Sequence, residues 1–160
     1  MSQLLSLYRR MQGWPGGSWL FSRAVCFKAP YFASIAPHIT LLEPGRCEAR
    51  IAHRRRVSNH IGTVHAIALC NLAELAGGVM VDASLPPSMR WIPKGMQVEY
   101  RSKALGPMHA VATPDVAIVA AERGYDLPVS VEIRDTHEHV VCFARIAMWV
   151  SPRVPATASP

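Results

Sequence analysis

The chain has 160 residues, half of them hydrophobic, which is the size of one globular domain with a single sizeable core. Seventeen Lys and Arg against eleven Asp and Glu give a net charge of +6 with neutral His, which favours anionic partners such as nucleotides, phosphates, nucleic acid or lipid headgroups. Cys26, Cys47, Cys70 and Cys142 form no CxxC pair, which argues against a zinc site or a disulfide framework and fits a reducing, cytoplasmic setting. The first residues, MSQLLSLYRRMQGWPGG, place their basic pair after a short apolar run and lack the long apolar core of a secretory signal, so no export signal is expected.

Leu4, Leu5, Leu7, Tyr8 and Met11 recur at helical spacing, and Trp14, Pro15, Gly16 and Gly17 stop that helix. A second helix is expected over residues 19–27, with Ser18 as its N-cap and Pro30 imposing an extended residue at its end. Residues 31–39 read as a further short helical piece before the turn Glu43, Pro44, Gly45. Residues 46–53 alternate loosely as a strand with one buried face, and a long apolar helix follows over residues 64–81. Beyond Pro86 and Pro87 the chain is strand-like. Residues 95–104 alternate, with Met96, Val98 and Tyr100 against Gln97, Glu99 and Arg101, 108–122 are rich in Val and Ala around Pro114, and 128–136 and 140–150 pair as a hairpin about His137, Glu138 and His139.

A nearly all-apolar helix among about five antiparallel strands implies a sheet curled around that helix, since only wrapping buries it on every side. The fold class is therefore α+β. The apolar helix is long enough to weigh as a membrane span, but it carries His65, Asn71 and Glu74 and has no companion segment, so no membrane is expected. The chain reads as one domain over residues 1–150, with a helical extension over 1–42, a core over 43–150 and a disordered, proline-bearing tail over 151–160.

Glu74 carries most of the functional expectation. A carboxylate in the middle of an apolar helix is expected to be buried, where desolvation costs several kcal/mol or forces the group to hold its proton. Either it works in a site or it is satisfied by Asn71, Asn59 or backbone and does no chemistry. The first-turn N–H groups near Val64, His65 and Ala66 lack intrahelical acceptors and suit a developing oxyanion, unless Thr63 simply caps the helix. Asn59 is either a turn residue or an amide that holds water or a carbonyl, and His65 either orients the loop or joins the chemistry. On one helix His65 and Glu74 stand nine positions apart, about 13 Å along the axis, so they meet only if the helix packs antiparallel on its copy. A homodimer, or a dimer of dimers, follows from that requirement.

Asn59, Gly62, His65 and Glu74 resemble the N, G, H, acid pattern of hotdog-fold acyl-CoA thioesterases of the phenylacetate-pathway type, with the acid 15 residues after the Asn. The resemblance covers roughly residues 43–150. KAPYF (28–32), NHIGTVHAIALCNLAELAGG and RWIPKGM (90–96) are more closely similar to an uncharacterised hotdog subgroup known only as a domain of unknown function. The resemblance implies a hotdog fold, a curved antiparallel sheet around a long central helix, and hydrolysis of an acyl-CoA thioester. Glu74 would be general base or nucleophile, the Ala66 N–H would serve the oxyanion, and Asn59 would align water or substrate. Gly62, Thr63 and Ile67 would shape the substrate site. The chain departs from the family in having Ala66 and Ile67 where two glycines are usual, and Glu where Asp is more frequent.

Arg54, Arg55 and Arg56 before the loop, with Arg90 and Lys94 further on, suit the phosphates of CoA, and Trp91 could stack on its adenine; each is otherwise an ordinary solvated or packed residue. No nucleic-acid module accompanies the charge. No metal site and no cofactor are expected, because no ligand cluster or glycine-rich phosphate loop is visible. The pocket floor is expected from helix side chains and the N-terminal segment. A non-catalytic acyl-CoA binding or sensing protein is the alternative to an enzyme. An acyl-carrier-protein dehydratase is disfavoured because its HFPxxPxxPG-like loop is missing.

Overall fold

The structure is a computed structural model and describes residues 2–153. Three helices, α1 (Gln3–Gln12), α2 (Gly17–Lys28) and α3 (Ala66–Ser84), accompany six strands: β1 (His38–Glu43), β2 (Arg46–Ile51), β3 (Met89–Tyr100), β4 (Met108–Pro114), β5 (Tyr125–Arg134) and β6 (Val140–Pro152). The strands form one antiparallel sheet in the order β1-β2-β4-β5-β6-β3, curved around α3, which is the hotdog architecture.

Alternation on the strands builds the inner face of the sheet. One cross-sheet row runs Cys47, Ala112, Val131, Ala144 and the next Ala49, Ala110, Ile133, Cys142, all fully buried. Alanines in β2 and β4 let α3 approach, and the bulkier Val and Ile of β5 fill the space beside it. Two glycines on α3 mark its closest approaches: a Cβ on Gly77 would stand 2.9 Å from Ile146 Cδ1, and one on Gly78 would stand 2.9 Å from Trp91 Cη2. This helix has the length and hydropathy to cross a membrane, but 72% of its most apolar window is buried inside the protein, as a core helix requires.

The N-terminal helices cover the β1 edge. Leu5, Tyr8 and Met11 form the buried stripe of α1, and the Tyr8 ring meets Phe21 edge-on at 5.0 Å while its hydroxyl donates to the Thr40 carbonyl. Fully buried Ser22 pins α2 to the sheet: its hydroxyl donates to the Ser18 carbonyl at 2.7 Å and accepts the Ile39 N–H at 2.8 Å. The N-cap of α2 is Gly16 at φ +72°, not Ser18, whose hydroxyl is instead 3.0 Å from His38 Nε2.

Strand β1 is a correction to the sequence reading. The helical piece ends at Ile35 as a 3₁₀ turn, because Ala36 is left-handed at φ +46° and Pro37 follows. The sheet therefore begins at His38, ahead of the turn after Glu43. A bulge between Ile39 and Leu41 breaks the period-two pattern that would have revealed the strand. Strand β3 starts at Met89, not residue 95, because Pro93 and a second bulge are tolerated on an edge. Strand β4 stops at Pro114, and Ser151 and Pro152, expected in the tail, pair with Arg90 and Met89. The rest of the expected disordered tail, from residue 154, lies outside the described residues.

Candidate active site

The loop before α3 is closed by Asn59. Its Oδ1 accepts the N–H groups of Ile61 and Thr63, and its Nδ2 donates to Thr63 Oγ1 at 2.8 Å. Gly62 sits at φ +78°, the left-handed turn position that favours glycine. The loop is anchored at both ends, by the His65 N–H donating to the Val57 carbonyl and the Val64 N–H donating to the Ala104 carbonyl. The amide of Asn59 thus shapes the loop, the turn role allowed for it, and Thr63 is held as its partner rather than as a helix cap.

The N-cap of α3 is His65. Its Nδ1 accepts the Ile67 N–H at 3.0 Å, which places the ring proton on Nε2, and its carbonyl accepts from Ala68 and Leu69. The Ala66 N–H, at the first helical position, donates to no group among the described residues and points with the helix dipole toward the loop end of α3.

Glu74 is not buried. Along α3 the exposed residues are Ile67 and Glu74, with Ala66, Cys70, Asp82 and Ser84 partly covered, and Ile67, Cys70 and Glu74 form a stripe that the sheet leaves open. The carboxylate makes no hydrogen bond or ion pair among the described residues, so the desolvation expected from sequence is absent in a single chain. Beside this face runs β3, whose outer edge pairs with no strand among the described residues. Tyr100 on β3 reaches across to Cys70, hydroxyl to Sγ 3.1 Å; that contact and burial push the phenol pKa up to about 12.

A cavity of about 180 Å³ opens at the start of α3, lined by Tyr31, Ser34, Arg56, His65, Ile67 and Asn71 among others. Its walls come from the start of α3, from the segment of Tyr31, Ser34 and Ile35, and from Arg56, Val57 and Ser58. Asn71, only 5% exposed, donates from Nδ2 to Ser34 Oγ at 3.0 Å, and its Oδ1 is buried without a partner. Tyr31 and Ser34 were not foreseen as site residues, and Asn71 only as a partner for Glu74; a second polar residue on an apolar helix was the available signal.

The basic residues divide. Arg54, Arg55 and Arg56 are exposed next to the loop, Arg56 lining this cavity. Arg90, Trp91 and Lys94 belong to β3, and Arg90 and Trp91 line a different cavity, with Asp82 and Leu85 at the far end of α3. Lys94 is paired with Asp126 at 2.9 Å and lies over the Trp149 ring, and Trp91 is packed on Gly78. One chain does not bring these three to the loop. Among the described residues no group of His, Cys, Asp or Glu could hold a metal ion, and all four cysteines are free.

Residues 17–150 match the family model described as a domain of unknown function, DUF4442. The chain belongs to this family. A crystal structure described only as genomics APC5556 is 45% identical and superposes with a TM-score of 0.79 over 94% of this chain and 99% of that one. The thioesterase HI1161 of Haemophilus influenzae is 17% identical, with a TM-score of 0.70 over 84% of this chain and 90% of that chain. A thioesterase family protein from Silicibacter pomeroyi is 13% identical, with a TM-score of 0.69 over 82% and 96%. No curated protein matches the DUF4442 chain. At these identities the two thioesterase likenesses establish the hotdog fold, in which this DUF4442 member keeps an added pair of N-terminal helices.

Proposed function

We propose that the protein hydrolyses an acyl-CoA thioester to free acid and CoA, in a homodimer that brings Glu74 of one protomer to the α3 start of the other. The observation that carries this reading is the Glu74 carboxylate itself, solvent-facing and unpaired on the open stripe of an otherwise apolar helix. A second copy laid against this stripe and the free β3 edge would desolvate the carboxylate and deliver it to the loop built by Asn59, Gly62 and His65. There it takes a proton from water as the water oxygen attacks the thioester carbon. Acting instead as nucleophile, it forms an acyl-glutamyl anhydride as the thiolate leaves, and water then hydrolyses the anhydride, which releases the acid, restores the carboxylate and supplies the thiolate's proton. The Ala66 N–H stabilises the oxyanion. Collapse of the intermediate breaks the C–S bond, and the thiolate takes up the proton. The thioesterase names carried by hotdog neighbours support the reaction class, and four free thiols suit a cytoplasmic setting.

The test is thiol release from a panel of short, long and aromatic acyl-CoAs by wild type and Glu74→Gln. Turnover falling by ~10²-fold or more in the Gln protein assigns the carboxylate its chemical role. A second reading, an acyl-CoA binder without turnover, is favoured by Ile67, which stands 56% exposed where thioesterases of this kind usually have a glycine. It predicts ligand-dependent thermal stabilisation of both proteins and no thiol release.

A further inference from the structure

A cavity of about 500 Å³ lies between α2 and the end of β2, lined by Trp19, Arg23, Pro37, His38, Arg50 and Arg54 among others. Three arginines and no acidic residue are among its lining residues. The nearest acid along β2, Glu48, is engaged with Arg46 at 2.8 Å and His109 at 3.0 Å. Arg23 donates from Nη2 to the Pro37 carbonyl at 2.9 Å, which holds its fork in place, while its Nε is buried with no acceptor. The side chains of Arg50 and Arg54 have no hydrogen-bond or ion-pair partner among the described residues. The buried Arg23 Nε without an acceptor is costly in the empty protein, while Arg50 and Arg54 are exposed cations beside it; an anion in the cavity satisfies the first and pairs with the other two.

Arginine forks match phosphoryl oxygens bidentately, and the size of the cavity is that of a small-ligand site rather than an ion hole. Trp19 adds a flat aromatic wall, 57% exposed, with the Arg23 guanidinium 5.8 Å from its ring centroid. Phosphate recognition beside a stacking surface describes a nucleotide. We propose that this cavity is a nucleotide-phosphate site, in which Arg23, Arg50 and Arg54 take the phosphoryl oxygens and Trp19 stacks on the base.

The same nucleotide chemistry has two sources, a free nucleotide or the nucleotide end of a CoA thioester. Arg54 lines this cavity and Arg56, Val57 and Ser58 line the one at the start of α3, so one short segment contributes to both. That shared segment suits a ligand with its nucleotide in the first and its thioester toward the second. The CoA assignment rests on the proposed hydrolase reading; the nucleotide site does not.

Calorimetric titration of adenosine 3′,5′-bisphosphate, CoA and inorganic phosphate into wild type, Arg50→Gln and Trp19→Ala tests the site without requiring turnover. Both replaced side chains are surface groups, and unfolding midpoints verify that the variants fold. The bisphosphate is expected to bind wild type and to lose ~10-fold or more in affinity in either variant. A parallel loss for CoA identifies the CoA source, and unchanged CoA binding identifies a free nucleotide. No bisphosphate binding at millimolar concentration, equal binding in the variants, or inorganic phosphate binding as tightly as the nucleotide each overturns the proposal. A failed Glu74 experiment with nucleotide binding intact would remove the hydrolase reading alone.

Discussion

Trp91 lays the outer edge of its ring against Gly78, so that a Cβ on the glycine would stand 2.9 Å from Cη2 and 3.5 Å from Cζ2. This contact joins the edge strand β3 to the last turns of α3 and explains why Trp91 is packing rather than an open stacking surface. Gly78→Ala sets two effects against each other. Helix propensity favours Ala by about 1 kcal/mol, whereas overpacking against a stiff ring held by the sheet costs about 1–3 kcal/mol. The overpacking term wins, and denaturant unfolding should show a net loss of stability. In a Trp91→Leu background the same change should become stabilising.

Gly17 is constrained more severely. A Cβ there would lie 1.7 Å from the Met11 carbonyl oxygen, which is backbone and already accepts the Trp14 N–H. The α1–α2 connection cannot open without moving Tyr8 and Phe21 out of their buried pair. Gly17→Ala should cost about 1–3 kcal/mol and loosen the α1–α2 pair selectively. Hydrogen exchange resolved by segment checks this: protection lost only in residues of α1 and α2 is the expected pattern, and unchanged protection would contradict it.

What was legible in the sequence follows from how local the governing physics is. The apolar run of α3 and the alternation of β5 and β6 are read by composition and period alone, so the wrapped helix and the hairpin were foreseen. Strand β1 was hidden because its bulge shifts Leu42 onto the face that Leu41 would otherwise occupy. Glu74 was expected to be buried because the helix is apolar on nearly every side, yet its exposure depends on which stripe the sheet leaves open, and strand order is not written in any local pattern. The same ignorance placed Arg90, Trp91 and Lys94 beside the loop arginines, although β3 inserts at the far edge of the sheet. Thr63 is the favoured residue type for a cap, but Asn59 engages its hydroxyl and His65 caps instead.

Glu48 gives the fold an acid-sensitive brace on β2. Burial works against its charged form, but hydrogen bonding and charge from Arg46, together with His109, outweigh this and hold the carboxyl pKa below its ordinary value. A carboxyl depressed in the folded state stabilises the protein above the unfolded value and loses that contribution as pH falls through the folded pKa. Stability should therefore decline below about pH 4.3, where the unfolded glutamate begins to hold its proton. Glu48→Gln should lower stability at neutral pH by at most about 1 kcal/mol and flatten the acid side of the profile. Urea unfolding across pH measures both, and an unaltered acid slope in the variant would assign the decline to other carboxyls.

The composite site makes a prediction that a site within one chain does not. Glu74 lies nine positions after His65 on a continuous helix, roughly 13 Å along the axis, so the carboxylate cannot serve the loop of its own protomer. Asn59→Ala removes the amide that organises the loop, and Glu74→Gln removes the acid; either homodimer should lose its activity. Exchange of subunits between the two variants forms heterodimers with one doubly altered site and one site that combines an intact loop with an intact acid. At equal mixing, roughly a quarter of all sites are restored, and thiol release should rise to about that fraction of wild type. Activity that stays at the average of the two variants, with heterodimers verified by differential tagging, would place loop and acid within one protomer and remove the two-fold arrangement.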